Sequence, residues 1–241
     1  MRKASGIIPA RYNSQRFPGK PLAPILGKPM IQRVYERAIK AEFLENVIIA
    51  TDDQRIFDAA LSFGADVRMT SSGHRSGTSR AAEIASSLDS PLIINIQGDE
   101  PLLHVSMIDD LIQVLQDKTI DMATLAVKDD NIAKIKDKNI VKIVKDHEDF
   151  ALYFSRSPIP FNSADYFWKH IGIYGYQRTF LLKFESLPET RLEKVEKLEQ
   201  LRALENGFRI KVVSTPHSIL SVDTPEDIIK VENILREGPH D

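Results

Sequence analysis

Between residues 6 and 127 short apolar runs alternate with helix-patterned segments, and this alternation leaves few architectures open. The runs at 6–10, 47–50, 66–70, 92–96 and 122–127 read as strands, and the first and fourth are apolar enough to be buried on both faces. Helical spacing fills the gaps. Pro29 opens a helix in which Met30, Ile31, Val34, Ala38 and Ile39 recur to about residue 42, and 54–63 form a second helix closed by Gly64. A Ser/Gly-rich loop over 71–78 leads into a third helix through 88, and 106–116 make a fourth. Strands alternating with helices predict an α/β fold built on a mainly parallel, doubly wound sheet. Such sheets bind ligands in the crevice at the carboxyl ends of their strands.

After Asp129 the pattern changes. Lys-rich 130–138 reads as a mobile surface turn, and 140–144, 151–155 and 170–176 read as strands with no helices between them, hence antiparallel. Pro158, Pro160 and Asn162 break the chain between the last two. A helix over 192–205, a strand over 210–214 and a helix from Pro225 close the sequence. At 241 residues this is one domain with an inserted antiparallel sheet and arm. A net charge of −2 gives no basis for nonspecific nucleic-acid or membrane binding, and with no cysteine there is neither disulfide nor thiol nucleophile. The first apolar run stops at Arg11, too short for a signal peptide, and none approaches the ~20 residues of a membrane span. A cytoplasmic protein is expected.

The first strand runs directly into a loop carrying Arg11, Arg16 and Lys20, the last inside Gly19-Lys20-Pro21. Three cations at the carboxyl end of an α/β strand suit a polyanion such as a nucleoside triphosphate. Neither G-x-x-x-x-G-K-[ST] nor G-x-G-x-x-G is present, so the phosphates would meet side-chain cations and backbone amides on an open loop. Two carboxylates answer these cations. Asp99 follows the fourth strand within Gln97-Gly98-Asp99-Glu100-Pro101. Asp223 precedes a helix whose N-cap, N1 and N3 positions fall to Thr224, Pro225 and Asp227, so capping does not require its carboxylate. Together they could hold Mg²⁺, which takes a few carboxylates plus phosphate oxygens. The plainer alternative makes Asp99 a turn residue and Asp223 a helix-entry residue. Asp52 and Asp53 read as an N-cap pair.

With these residues in view the chain resembles the 3-deoxy-manno-octulosonate (Kdo) cytidylyltransferases. The resemblance rests on 7–22 (IIPARYNSQRFPGKPL), 27–30, Thr51-Asp52, 76–78 with Arg80, 97–101 (QGDEP), 151–156 (ALYFSR), 170–176 (HIGIYGY), 198–202 (LEQLR) and 222–227 (VDTPED). It implies a nucleotide-diphosphosugar transferase fold, a homodimer formed through the inserted arm, and transfer of CMP from CTP to Kdo with release of pyrophosphate for lipopolysaccharide synthesis. Residues 1–128 would then be mainly the nucleotide half, 129–190 the inserted sheet and dimer arm, and 191–241 the closing helices with a metal-ligand segment. By the same resemblance Arg11 and Lys20 contact the triphosphate and, with Asp99 and Asp223, are catalytic; the two aspartates hold Mg²⁺. Pro9, Ala10, Ser76, Gly77, Thr78, Arg80 and Gln97 complete the nucleotide site. Arg156, His170, Tyr174, Glu199 and Gln200 bind the anionic eight-carbon sugar. A helical wheel also puts Glu199 on the apolar arc between Leu192 and Val195, and an i,i+3 pair with Arg202 is its plainer role. Two departures stand out: Ser79 replaces the acidic residue usual after Gly-Thr, and 159–168 is short. The same reaction on 8-amino-3,8-dideoxy-Kdo is the nearest alternative. An inactive nucleotide-binding paralogue is another, though it would be expected to lack Lys20, Asp99 or Asp223.

Overall fold

A computed structural model describes residues 1–13 and 17–238. The chain runs through β1 (Ala4–Ala10), the small hairpin β2 (Pro24–Ile25) and β3 (Lys28–Pro29), α1 (Met30–Ala38), β4 (Leu44–Thr51), α2 (Gln54–Ser62), β5 (Asp66–Met69), α3 (Gly77–Ser86), β6 (Leu92–Asn95), α4 (Val105–Val114) and β7 (Met122–Asp129). It continues through β8 (Lys142–Lys145), β9 (Ala151–Ser155), β10 (Phe167–Gln177), α5 (Arg178–Ser186), α6 (Arg191–Glu196), α7 (Leu201–Glu205), β11 (Ile210–Thr215) and α8 (Pro225–Glu237). In the main sheet the strand order is β11-β7-β10-β6-β1-β4-β5. All are parallel except β10, which lies antiparallel between β6 and β7.

The period-2 pleat of β1 splits its side chains between two cores. Ile8 packs under α1, α2 and α4, with Val34, Ile56 and Leu111. Ile7 packs under α3, α5 and α7, with Ala81, Phe180 and Leu201. A third, smaller core fastens α8 to the β2–β3 hairpin through Val231, Val222, Ile25 and Met30.

Four sequence expectations need correction. The strand expected over 170–176 is not confined to an inserted sheet: its carboxyl half fills the centre of the main sheet, and only its amino end pairs with β8, which in turn pairs with β9. The helix expected over 192–205 is two short ones, because Lys197 adopts a left-handed conformation (φ 55°) and ends α6. The wheel that placed Glu199 beside Val195 therefore does not apply, and Val195 is exposed. Residues 132–136 form a 3₁₀ turn anchored by buried Ile135 rather than a loose surface turn. Helix α5 escaped the sequence reading altogether. It follows β10 without a break, its Gln177 N-cap makes no side-chain capping bond, and its core residues Phe180 and Phe184 favour strands by propensity.

Candidate active site

From β1 the chain passes through α1 to β4 on one flank, and from β6, on the other flank, through α4 away to β7, so the strand order reverses between β1 and β6. The crevice between their carboxyl ends is a topological switch point, where doubly wound sheets take ligands. A cleft of ≈ 270 Å³ opens there, lined by Pro9, Ala10, Arg11, Lys20, Ser76, Gly77, Arg80, Gln97, Asp99 and Asp223 among others. Ten residues chosen from sequence thus line one cleft. Arg16, the third loop cation, lies outside the described residues.

Local structure accounts for the convergence. The first loop is closed by the Gly19 amide donating to the Tyr12 carbonyl at 2.9 Å, with Gly19 in the left-handed region (φ 74°). A Cβ on Gly19 would also meet the Tyr12 ring at 3.1 Å, so glycine answers both the dihedral and the space. One 3₁₀ turn (Lys20–Leu22) then presents Lys20 to the crevice. Gly98 lets the next loop pass close under β1, where a Cβ would sit 3.1 Å from the Pro9 carbonyl oxygen. The Val222 amide donates to the Asp99 carbonyl at 2.9 Å and ties the two aspartate segments together. At the far end Thr224 and Asp227 form the expected capping box of α8, and Lys230 with these bonds holds the Asp227 carboxyl at about 2.

Lys20 stands between the aspartates. Its Nζ donates to Asp99 Oδ2 at 2.6 Å and to the Val222 carbonyl at 2.9 Å, and lies 3.8 Å from Asp223 Oδ1. Glu100, next to Asp99, is buried, and burial with the neighbouring charge pushes its carboxyl up to about 8. No group of three or more His, Asp or Glu able to hold a metal occurs among the described residues. Two carboxylates already gathered about a cation nevertheless fit Mg²⁺, which completes its octahedron with water and phosphate oxygens.

Arg80 forms the opposite wall. It is almost fully buried, and its guanidinium donates to Thr70 Oγ1 and pairs with Asp52 Oδ2 at 3.2 Å. Asp52 is therefore not half of an N-cap pair. Asp53 alone caps α2, accepting from the Arg55 amide, while Asp52 turns to the Arg80 guanidinium. The sequence reading missed this partner because only the register of β4 beside β5 brings residue 52 near Thr70. Ser79 fills the N3 position of a capping box with Ser76, so the hydroxyl takes over the reciprocal bond an acidic residue would make there.

A neighbouring cavity of ≈ 200 Å³ shares Gly77 and Gln97 with the cleft and is lined also by Thr78, Tyr174, Glu199 and Gln200. Thr78 Oγ1 donates to Glu199, and Arg202 Nη2 approaches Glu199 at 3.8 Å, so the plainer i,i+3 pairing coexists with a place at the cavity. Gln200 Nε2 is buried without a hydrogen-bond partner among the described residues. A bulge opposite β7, between Ile171 and Tyr174, shapes this wall. It aims the Gly172 carbonyl at Gln97 Nε2, which donates to it at 3.0 Å. A larger hollow of ≈ 600 Å³ beside Glu199 shares His74 and Ser76 with the cleft.

Arg156 and His170 line none of these cavities. The Arg156 amide and Nε donate to Glu196 Oε2 (2.9 Å) and to the Glu196 carbonyl (3.1 Å), and its Nη1 to the Lys138 carbonyl (3.0 Å). Glu196 also accepts from Ser155 Oγ at 2.7 Å, and fully buried Lys142 donates to the Asp137, Ile140 and Arg156 carbonyls. This polar brace was not visible in the sequence, since each member looks like an ordinary surface charge. His170 packs edge-on against Phe154 and beside Tyr174. Thr124 Oγ1 has one proton, spent on the Ile171 or Ile173 carbonyl, so at 3.0 Å the His170 Nε2–H is the donor to that hydroxyl.

A cytidylyltransferase family model matches residues 5–212. The 3-deoxy-manno-octulosonate cytidylyltransferase of Solibacter usitatus is 52% identical over 98% of this chain and 95% of its own, and that of Syntrophotalea carbinolica 50% identical over 96% and 98%. A solved CMP:2-keto-3-deoxy-manno-octonic acid synthetase in complex with CTP superposes with a TM-score of 0.93 at 40% identity, over 98% of this chain and 99% of that one. At 19% identity and a TM-score of 0.66, a cytidylyltransferase from Leptospira borgpetersenii shares the fold. A basic first loop facing two strand-end aspartates, in a chain matched end to end by these relatives, makes this protein a member of the cytidylyltransferase family, among the 3-deoxy-manno-octulosonate cytidylyltransferases.

Proposed function

We propose that the protein transfers CMP from CTP to Kdo, giving CMP-Kdo and pyrophosphate, and so supplies activated sugar for lipopolysaccharide in the cytoplasm. The observation that carries this is Lys20 held between Asp99 and Asp223 in a cleft that also holds Arg11 and Arg80. In-line attack by the anomeric hydroxyl on the α-phosphorus forms one O–P bond and breaks the bridge to the β-phosphate. Catalysis of such a step is mostly positioning and charge neutralisation. Arg11 and Lys20 would meet the charge that grows on the departing pyrophosphate, while Arg80, braced by Asp52, would hold the nucleoside end. Asp99 and Asp223 would hold Mg²⁺, which when bound neutralises phosphate charge and acidifies the attacking hydroxyl. The cavity of Tyr174, Glu199 and Gln200 offers hydroxyl-binding groups for the polyol.

Pyrophosphate release from CTP, followed in parallel with Kdo, 8-amino-Kdo and N-acetylneuraminate, tests the assignment. Fastest turnover with Kdo is expected, and a preference for the amino sugar would replace the acceptor while keeping the chemistry. Asp99→Asn and Asp223→Asn should each abolish turnover with Mg²⁺ as the added metal. Near-normal rates in either would remove that carboxylate from the metal site.

A further inference from the structure

The cation between Asp99 and Asp223 is the protein's own. Lys20 Nζ touches Asp99 Oδ2 at 2.6 Å and the Val222 carbonyl at 2.9 Å, and stands 3.8 Å from Asp223 Oδ1. All three oxygens belong to the two segments that would carry a divalent ion. The Val222 amide, bonded to the Asp99 carbonyl at 2.9 Å, holds these two segments side by side. An ion bound to Asp99 Oδ2 at the usual ~2.1 Å would lie at most about 4.7 Å from an ammonium on the same oxygen. A dication and an ammonium that close repel, with only a part-buried site to screen them.

A triphosphate changes this balance. Lys20 ends a flexible four-carbon stem at the start of a 3₁₀ turn, and Arg11 lines the same cleft. Phosphate oxygens arriving there offer the ammonium a more negative partner than one carboxylate, and its departure leaves Asp99 Oδ2 open. We propose that Lys20 is the resident counter-cation of the metal site, so that nucleotide-free enzyme excludes free divalent ions and admits them only together with the triphosphate. This rests on reading Asp99 and Asp223 as the metal ligands.

Direct binding of Mn²⁺, read from the electron paramagnetic resonance signal of the free ion, tests the proposal without turnover. Wild type should bind weakly alone and tightly with the non-hydrolysable α,β-methylene analogue of CTP, counted beyond the Mn²⁺ that the same analogue takes up in a protein-free control. Lys20→Met, with its fold checked by circular dichroism, should bind Mn²⁺ without nucleotide about tenfold or more tighter than wild type, a usual size for coupling between two cations or ligands at one site. Lys20→Arg, which keeps the charge, should bind as weakly as wild type, and Asp99→Asn added to Lys20→Met should erase the gain. If Lys20→Met does not fold, Lys20→Gln serves in its place. No gain on neutralising Lys20, or wild type that binds the ion equally well with and without the analogue, overturns the proposal. Wild type that takes no Mn²⁺ even with the analogue would instead overturn the metal reading, and this proposal with it.

Discussion

Arg80 is buried at the wall of the proposed nucleotide cleft, and among the described residues its ion pair is with Asp52, which orients its guanidinium. Asp52→Asn keeps the shape but removes the charge from the pair. The KM for CTP should rise about tenfold, the lower end of what a charge-assisted bond contributes, with kcat changed much less. A fall in kcat at unchanged KM would show that Asp52 acts on the chemistry and not on nucleotide binding. His170 sets a different test. Its burial pushes the imidazole down to about 3, so the folded protein keeps it neutral while the unfolded chain protonates near its ordinary value. The stabilising contribution is complete above about pH 6.5 and is lost as pH falls toward 3, at up to about 1.4 kcal/mol per pH unit. Urea unfolding of His170→Gln should show an acid-side slope shallower by one proton, and an unchanged slope would mean that His170 titrates normally.

At the scale of elements, β10 does the most to shape the site. It enters the parallel sheet against the grain, and it can lie under α4 because Gly175 has no side chain. A Cβ there would come within 2.5 Å of Leu115 Cδ1 and 3.1 Å of Ile94 Cδ1, both in the closed core. Gly175→Ala should therefore cost about 1–3 kcal/mol by denaturant titration, the usual penalty of overpacking. A loss under about 0.5 kcal/mol would mean that α4 lifts freely. Upstream, the bulge in β10 is sealed by Thr124, whose hydroxyl donates to the Ile171 or Ile173 carbonyl, and it delivers Gly172 to Gln97. The apolar run at 170–176 predicted a strand, and Gly172 inside it is the residue type that marks a bulge, yet nothing in that run indicated which partner would close the bulge or that the strand is central. Both depend on the partner strands, with Thr124 supplied by β7.

For the whole molecule, the connection between β9 and β10 leaves apolar surface uncovered. Phe161 is 90% exposed and Leu152 on β9 61%, with Tyr166 stacked edge-on against Trp168 nearby. We expect two copies to bury this surface in an isologous dimer. Light scattering at micromolar concentration should report twice 27.2 kDa, and a species of 27.2 kDa alone would exclude it. No helix among the described residues is long and apolar enough to cross a membrane. The sequence by itself determined the parallel strands, the basic loop and the strand-end aspartates. These follow from local rules: apolar runs of strand length, a left-handed glycine closing a loop, and a capping box opening a helix. Only the tertiary structure decided that Asp52 braces Arg80, that Lys20 stands as the cation between Asp99 and Asp223, and that Arg156 is held by Glu196. Each depends on which distant segments the sheet order and its register bring within bonding distance, and local sequence carries no record of that.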